Sequence, residues 1–341
     1  MHGISIKWRA GQSSARSQVV RDMRELQPTG APVRGFLDWP VVTNPTEWSA
    51  DVALIGIQHS EPYAHDPCPN DQANAPDAIR LRSEQISYGR DQWDFDLDTS
   101  LTSVLPRCID MGNVAWSGGS YDDYSAATSD RARHLWKGGT QIFAFGGDHG
   151  VTIPLLDALD TVGEPIHVFH VDAHLDWRAE VGGVPRGYSS PLRWASSKPH
   201  ISGMTQVGMR QTGSARRTEV EAAREYGSHV FPAAEVHEKG WMPVLATIPK
   251  GAAVYITIDA DGMDPTEMPA VMAPSPGGIL YREIAPVLRR IARTHRVVGM
   301  DVVEVAPSYD NANGITAIMA GRLVMNVLGA SWAPDGAMRR R

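Results

Sequence analysis

Three short stretches of the chain concentrate side chains that bind metal ions and move protons. They are Gly146-Gly147-Asp148-His149-Gly150, Asp172-Ala173-His174-Leu175-Asp176 and Asp259-Ala260-Asp261-Gly262-Met263-Asp264-Pro265. Asp172, His174 and Asp176 stand two residues apart in turn, as do Asp259 and Asp261. In extended backbone, residues two apart point to the same side. Two such rows facing each other, with His149 added, give four carboxylates and two imidazoles in one cleft. Carboxylates so crowded repel strongly unless cations neutralise them. Two divalent metals do so, and a two-metal site activates a bridging water near neutral pH. Mixed His/Asp ligands suit Mn, Ni, Co, Fe or Zn and disfavour Ca and Mg. Taken singly, Gly146–Gly150 is also a tight turn and Asp264-Pro265 a turn signal. The three together point to metal chemistry.

Each stretch follows a run of strand length. The runs are Asp51–Ile57, Gln141–Phe145, Ile166–Val171, Gln206–Met209, Ser228–Phe231, Ala252–Ile258 and Arg296–Val303. They are nearly continuously apolar, as expected for strands covered on both faces. Helices are expected at Ala75–Ser83, Ser125–Trp136, Val151–Asp160, Arg216–Tyr226, Tyr281–Arg293 and Ile315–Gly329. Strands alternating with helices predict an α/β fold, a three-layer α/β/α single domain with a mostly parallel central sheet. In such a sheet all three stretches reach the same carboxyl edge, where open α/β folds place their sites. The expected organisation is an N-terminal arm at 1–45, one domain at 46–333 and a basic C-terminal tail at 334–341. The arm carries Lys7, Arg9, Arg16, Arg21, Arg24 and Arg34, with one helix expected at Ser13–Leu26. It is expected to pack on the domain or on a neighbouring subunit.

Composition removes other classes. The chain has 341 residues with 42% hydrophobic and 21% charged side chains, a globular balance that excludes a disordered chain. Its net charge of −7 gives no electrostatic case for nucleic acid. The two cysteines, Cys68 and Cys108, are too few for a disulfide framework or a Cys-rich zinc module. No apolar run approaches the roughly 20 residues of a membrane span, and the first residues do not read as a signal peptide. A cytoplasmic protein without a membrane partner is expected.

With its motifs assembled, the sequence resembles the ureohydrolase family, which includes arginase, agmatinase, guanidinobutyrase and formimidoylglutamase. The resemblance rests on Gly146–His149, Asp172–Asp176 and Thr257–Pro265. It continues in Ala75-Pro76-Asp77-Ala78-Ile79-Arg80, Pro276-Gly277-Gly278, Asp301–Pro307 and Gly314-Ile315-Thr316-Ala317. It implies a two-metal amidine hydrolase that uses Mn or Ni and acts on a small cationic guanidino substrate. His149 and Asp176 would bind one metal, His174 and Asp261 the other, and Asp172 and Asp259 would bridge. Asp176 would also orient the activated water, and Glu304 would hold the guanidinium by a charge-assisted pair. The products would be urea and an amine. The resemblance also implies a trimer or hexamer, homo- or hetero-oligomeric.

The stretch after Asp176 departs from the family. Arginases and agmatinases carry a His-Gly pair there, whose histidine is a candidate proton shuttle. This chain has no histidine between His174 and His200, and Arg186-Gly187 fills the place, followed by Tyr188, Ser189 and Ser190. An arginine cannot donate a proton near neutral pH, so transfer falls to solvent, a tyrosine, His59 or His65. The expected substrate is accordingly guanidine, an N-alkylguanidine, a biguanide of the metformin-hydrolase type, or a guanidino acid. Arg178 or Arg186 would meet the acid's carboxylate, Tyr188 would contact the substrate, and Trp177 would add an apolar wall. An alternative makes the chain a non-catalytic or partner-dependent subunit of a hetero-oligomer. A deacetylase-like hydrolase is disfavoured because no two histidines are adjacent.

Overall fold

The strands are apolar at successive positions because alternate residues enter two different cores. In β1 (Val52–Gln58), Val52 and Leu54 join one core while Ala53, Ile55 and Ile57 join the other. The first core is closed by the helices Ala75–Arg82, Tyr281–Thr294 and Ile315–Trp332, through Ile79, Ile284, Leu288, Leu323 and Val327. The second is closed by Tyr121–Lys137, Thr152–Ala158 and Arg217–Tyr226, through Tyr124, Leu135, Leu155 and Ala223. The result is three layers. The computed structural model describes residues 26–64, 71–115, 120–212 and 215–338. Of the expected helix at Ser13–Leu26, all but Leu26 lies outside the described residues, as do His65 and Cys68.

The remaining strands are the hairpin pair β2 (Trp93–Asp94) and β3 (Thr99–Ser100), then β4 (Cys108–Ala115), β5 (Gln141–Phe145), β6 (Ile166–Val171), β7 (Ile201–Met209), β8 (His229–Pro232), β9 (Ala253–Asp259) and β10 (Arg296–Val303). One sheet runs β4-β1-β5-β10-β9-β6-β7-β8, and every neighbouring pair in it is parallel. Its four middle strands, β5, β10, β9 and β6, therefore end side by side. Val302 is level with Phe145, Val303 with Asp259, and Val171 with Ile258.

The edge strand β4 has no counterpart among the expected runs. Asp110 and Asn113 interrupt its apolar pattern, yet both are buried. Arg80, fully buried on the helix Ala75–Arg82, satisfies them. Its Nε and Nη2 donate to Asp110 at 2.7 and 2.9 Å, and its Nη1 donates to Asn113 Oδ1 at 2.6 Å. Residues 30–41 cover the outer side of β4 through bridges from Gly30 to Asn113 and from Val41 to Asp110, which blunts an exposed edge. Gly112 makes this approach possible: at φ +77°, a Cβ there would meet Gly30 O at 2.3 Å. Phe36 and Leu37 enter the first core, with the Phe36 ring 5.0 Å from that of Phe145. At the other end, Met338 N bonds Ser331 O and Ala337 N bonds Ala292 O.

The helix Ile315–Trp332 is long and apolar enough to cross a membrane by composition, but 72% of it is buried inside the fold. It packs on β10 and on the helices Ala75–Arg82 and Tyr281–Thr294. Its apolarity is that of a core helix.

Candidate metal centre

The loops after β5, β6 and β9 are forced together by glycines. A Cβ on Gly147 would sit 1.7 Å from His59 O, so the β5 loop runs directly against the loop after β1. Asp148 then accepts from Glu61 N at 2.6 Å and from Gly150 N at 2.9 Å. That fixes the turn which presents His149. A Cβ on Gly262 would sit 2.6 Å from Asp172 N, so the β9 loop lies on the end of β6. Asp264 ties down the turn Pro276-Gly277-Gly278 by accepting from Gly277 N and Gly278 N at 2.9 and 3.0 Å.

All six expected metal-binding side chains converge in two groups. His149 Nδ1 lies 2.9 Å from Asp176 Oδ2, 3.3 Å from Asp172 Oδ2 and 3.3 Å from Asp259 Oδ2. His174 Nδ1 lies 3.3 Å from Asp172 Oδ1 and 3.1 Å from Asp261 Oδ2. Asp172 thus offers one oxygen to each group. Its carboxylate is fully buried, and Asp176, Asp259 and Asp261 are nearly so.

A cation fits this cluster better than protons do. His149 Nδ1 and Asp176 Oδ2 are buried without a hydrogen-bond partner, although they face each other. Buried polar atoms rarely remain so, and an ion is one standard explanation. His149 Nε2 lies 3.0 Å from Thr257 Oγ1, which suits a ring that donates there and turns its Nδ1 lone pair into the cluster. By themselves the groups are electrostatically frustrated. Burial and the charge of Asp172 push Asp176 up, and burial and the charge of Asp261 push Asp259 well up. Burial alone would lower His174, but Asp261 and Asp172 push it up to about 12. His149 is raised in the same way, against its burial, by Asp176, Asp172 and Asp259.

Glu304 stands one residue past β10 on the same rim. Its Oε1 accepts from His149 N at 2.8 Å, and its Oε2 accepts from Gln72 Nε2 at 2.8 Å. Burial and the charge of Asp148 push its carboxyl up to about 8. Glu304 and Asp176 both adopt left-handed backbone, at φ +64° and +51°. Such strain costs about 1–3 kcal/mol per residue and clusters at active sites.

Two site residues escaped the sequence. Gln72 sits in a turn just before the Ala75–Arg80 segment, outside every ligand-bearing stretch, and carried no signal of its own. His170 did carry one, because it extends the alternate-residue row that begins at Asp172. Its Nε2 lies 2.9 Å from Asp172 Oδ2, and Gln206 Nε2 lies 3.2 Å from its Nδ1. With Gln206 donating, His170 donates to Asp172 and orients that carboxylate.

The expected substrate contacts after Asp176 are corrected in part. Trp177 is 2% exposed and packs in the second core, its ring 5.7 Å from that of Tyr226, so it does not wall the cleft. Arg178 turns to Glu219 at 3.8 Å. Arg186 pairs with Asp122 and lies 4.6 Å over the Tyr121 ring, so its charge is compensated there. Both arginines thus have a carboxylate partner within the chain. The backbone of Tyr188 runs past Gly150, next to His149. A Cβ on Gly150 would meet the Tyr188 backbone N at 3.4 Å, and the Tyr188 ring stacks 4.2 Å from that of Tyr63. His59 is held down to about 4 by burial, which leaves it neutral near pH 7 and a weak proton donor.

The comparisons with known proteins agree with this geometry. The model of the arginase family matches residues 50–329. An agmatinase from Sodalis glossinidius is 32% identical over 313 residues, covering 89% of this chain and 94% of that protein. An N(1)-aminopropylagmatine ureohydrolase from Thermus thermophilus is 33% identical over 231 residues, covering 67% of this chain and 75% of that protein. Among solved structures, a proclavaminate amidino hydrolase from Streptomyces clavuligerus superposes with a TM-score of 0.73 at 26% identity, covering 89% of this chain and 98% of that one. Motifs, sheet order and sequence similarity converge, and the chain belongs to the arginase family.

Proposed function

We propose that the chain is a two-metal hydrolase that cleaves a C–N bond of a guanidino compound to release urea and an amine. The observation that carries this is the pair of imidazole nitrogens facing two carboxylate groups joined through Asp172. His149, Asp172, Asp176 and Asp259 would hold one Mn or Ni ion, and His174, Asp172, Asp259 and Asp261 the other. When bound, the two ions activate water for attack near neutral pH.

The side chains supply the rest. An acidic cleft attracts a cationic head group. Glu304, tied down at both oxygens, gives up its proton to solvent as the cation arrives, pairs with the guanidinium and sets its carbon against the attacking water. Asp176 orients that water and takes its proton at a carboxylate oxygen. Water adds to the guanidinium carbon, the C–N bond to the substituent breaks, and the leaving nitrogen takes up protons as an ammonium. With no histidine between His174 and His200 and His59 neutral, solvent or the Tyr63–Tyr188 pair relays that proton.

The substrate in this reading is a small guanidine, an N-alkylguanidine or a biguanide such as metformin. With Arg178 and Arg186 both paired, neither waits for the carboxylate of a guanidino acid. The pairing of Arg186 with Asp122 also removes its repulsion of a cationic tail, so agmatine stays in the test set. The complete ligand set argues against the non-catalytic-subunit alternative, whose support is the absent His-Gly pair. Tyr88, Trp93 and Phe95 are exposed around the β2–β3 hairpin and offer an apolar surface for the expected trimer or hexamer.

The experiment is urea release by the purified chain, loaded separately with Mn and with Ni. The substrates are agmatine, 4-guanidinobutyrate, arginine, guanidine, N,N-dimethylguanidine and metformin. Urea from at least one, or guanylurea and dimethylamine from metformin, is expected. Neither product from any of them, with both metals bound, would refute the proposed activity on these substrates.

A further inference from the structure

The first turn after the β1 loop reaches across the sheet edge to the residue that would hold substrate. Gln72 is 4% exposed and donates from Nε2 to Glu304 Oε2 at 2.8 Å, across 232 residues of sequence. The turn that carries it is locked to the same loop a second time, because Asp71 Oδ2 accepts from Ser308 N at 2.7 Å. Ser60 lies on the other side of Gln72, its Oγ 3.5 Å from Gln72 Oε1. The amide presents its nitrogen to Glu304, and a flip would set its oxygen against that carboxylate.

The geometry bears on recognition. A carboxylate has about four acceptor directions over its two oxygens. His149 N takes one on Oε1 and Gln72 one on Oε2. The directions left over suit the forked N–H groups of a guanidinium, which recognises a carboxylate through two parallel hydrogen bonds. Without Gln72, Oε2 would be free to swing and would sample orientations that match the fork poorly.

We propose that Gln72 is a positioning residue for guanidinium recognition. It fixes the rotation of the Glu304 carboxylate and so sets affinity for the guanidinium head group, whatever tail the substrate carries. This rests on Glu304 being the guanidinium partner proposed above. Metal binding is not its task, since its amide nitrogen is directed at Glu304 Oε2.

The test is calorimetric titration of the metal-loaded full chain with guanidinium chloride, at low temperature to suppress turnover, with bound metal counted for each variant. Gln72→Met keeps length and volume but removes the donor. It should weaken guanidinium binding about ten- to hundredfold, the usual cost of a lost hydrogen bond to a charged group, with metal content unchanged. Gln72→Glu keeps the shape and sets a second carboxylate against Glu304, and should weaken binding at least as much. Glu304→Gln is the reference. In that background Gln72→Met should cost little more, because the two residues act as one unit. Full guanidinium affinity in both Gln72 variants, with Glu304→Gln impaired, would overturn the role of Gln72 alone. Full affinity in Glu304→Gln as well would overturn the Glu304 assignment and this inference with it. Loss of metal in both Gln72 variants would make Gln72 a structural support and would equally overturn the proposal.

Discussion

At the scale of single residues, the site is made from groups that are individually unfavourable. Asp176 and Glu304 sit in left-handed backbone that neither residue type prefers. Four buried carboxylates share a small space with two imidazoles. Neutralisation by metal explains how this arrangement holds, and it fixes two outcomes. Glu304→Gln keeps shape and removes charge, so kcat/KM on whichever substrate yields urea should fall about 10- to 100-fold while bound metal is retained. A change of less than about threefold would contradict the role given to Glu304. The second outcome concerns pH. His149 and His174 are raised above their ordinary value by the surrounding carboxylates. Near pH 7 the metal-free cluster therefore holds protons that a metal must displace. Metal affinity should rise with pH, and titration in buffers of different ionisation enthalpy should report net proton release. Binding without proton release would mean that the imidazoles are already neutral.

At the scale of elements, the strands that end in ligands were legible because an apolar run followed by a polar burst needs no tertiary information. β4 was not, because its Asp110 and Asn113 look like loop residues until Arg80 arrives from a different element to pair them. The same reason hid Gln72, which reaches Glu304 only across the closed sheet edge. It also misplaced Trp177, whose neighbour Asp176 turns into the cleft while the indole turns into the core. Arg80 gives a direct test of the edge. Arg80→Ala strands Asp110 buried and unpaired, and should cost about 3–5 kcal/mol in urea unfolding. A loss below about 1 kcal/mol would mean that β4 is held chiefly by its backbone ladder and by residues 30–41. The β6 loop shows the opposite limit. Its sequence named Arg186 as a substrate contact, but the side chain found Asp122 and Tyr121 on a helix that precedes β5.

At the scale of the whole molecule, one parallel sheet explains why the three motifs meet. β5, β10, β9 and β6 are neighbours in space though not in sequence, so four separate loops share one rim. The helix Ile315–Trp332 is apolar because it backs that sheet, which leaves the rim as the place where buried charge collects. The central claim is that this rim is a two-metal centre joined through Asp172. Its most direct test is the metal count per chain after Mn loading and removal of excess, by native mass spectrometry, for the unaltered chain and for Asp172→Asn. The account predicts two ions per chain, with Asp172→Asn losing both sites together because they share that carboxylate. A single ion in the unaltered chain, or two ions retained by Asp172→Asn, would contradict it.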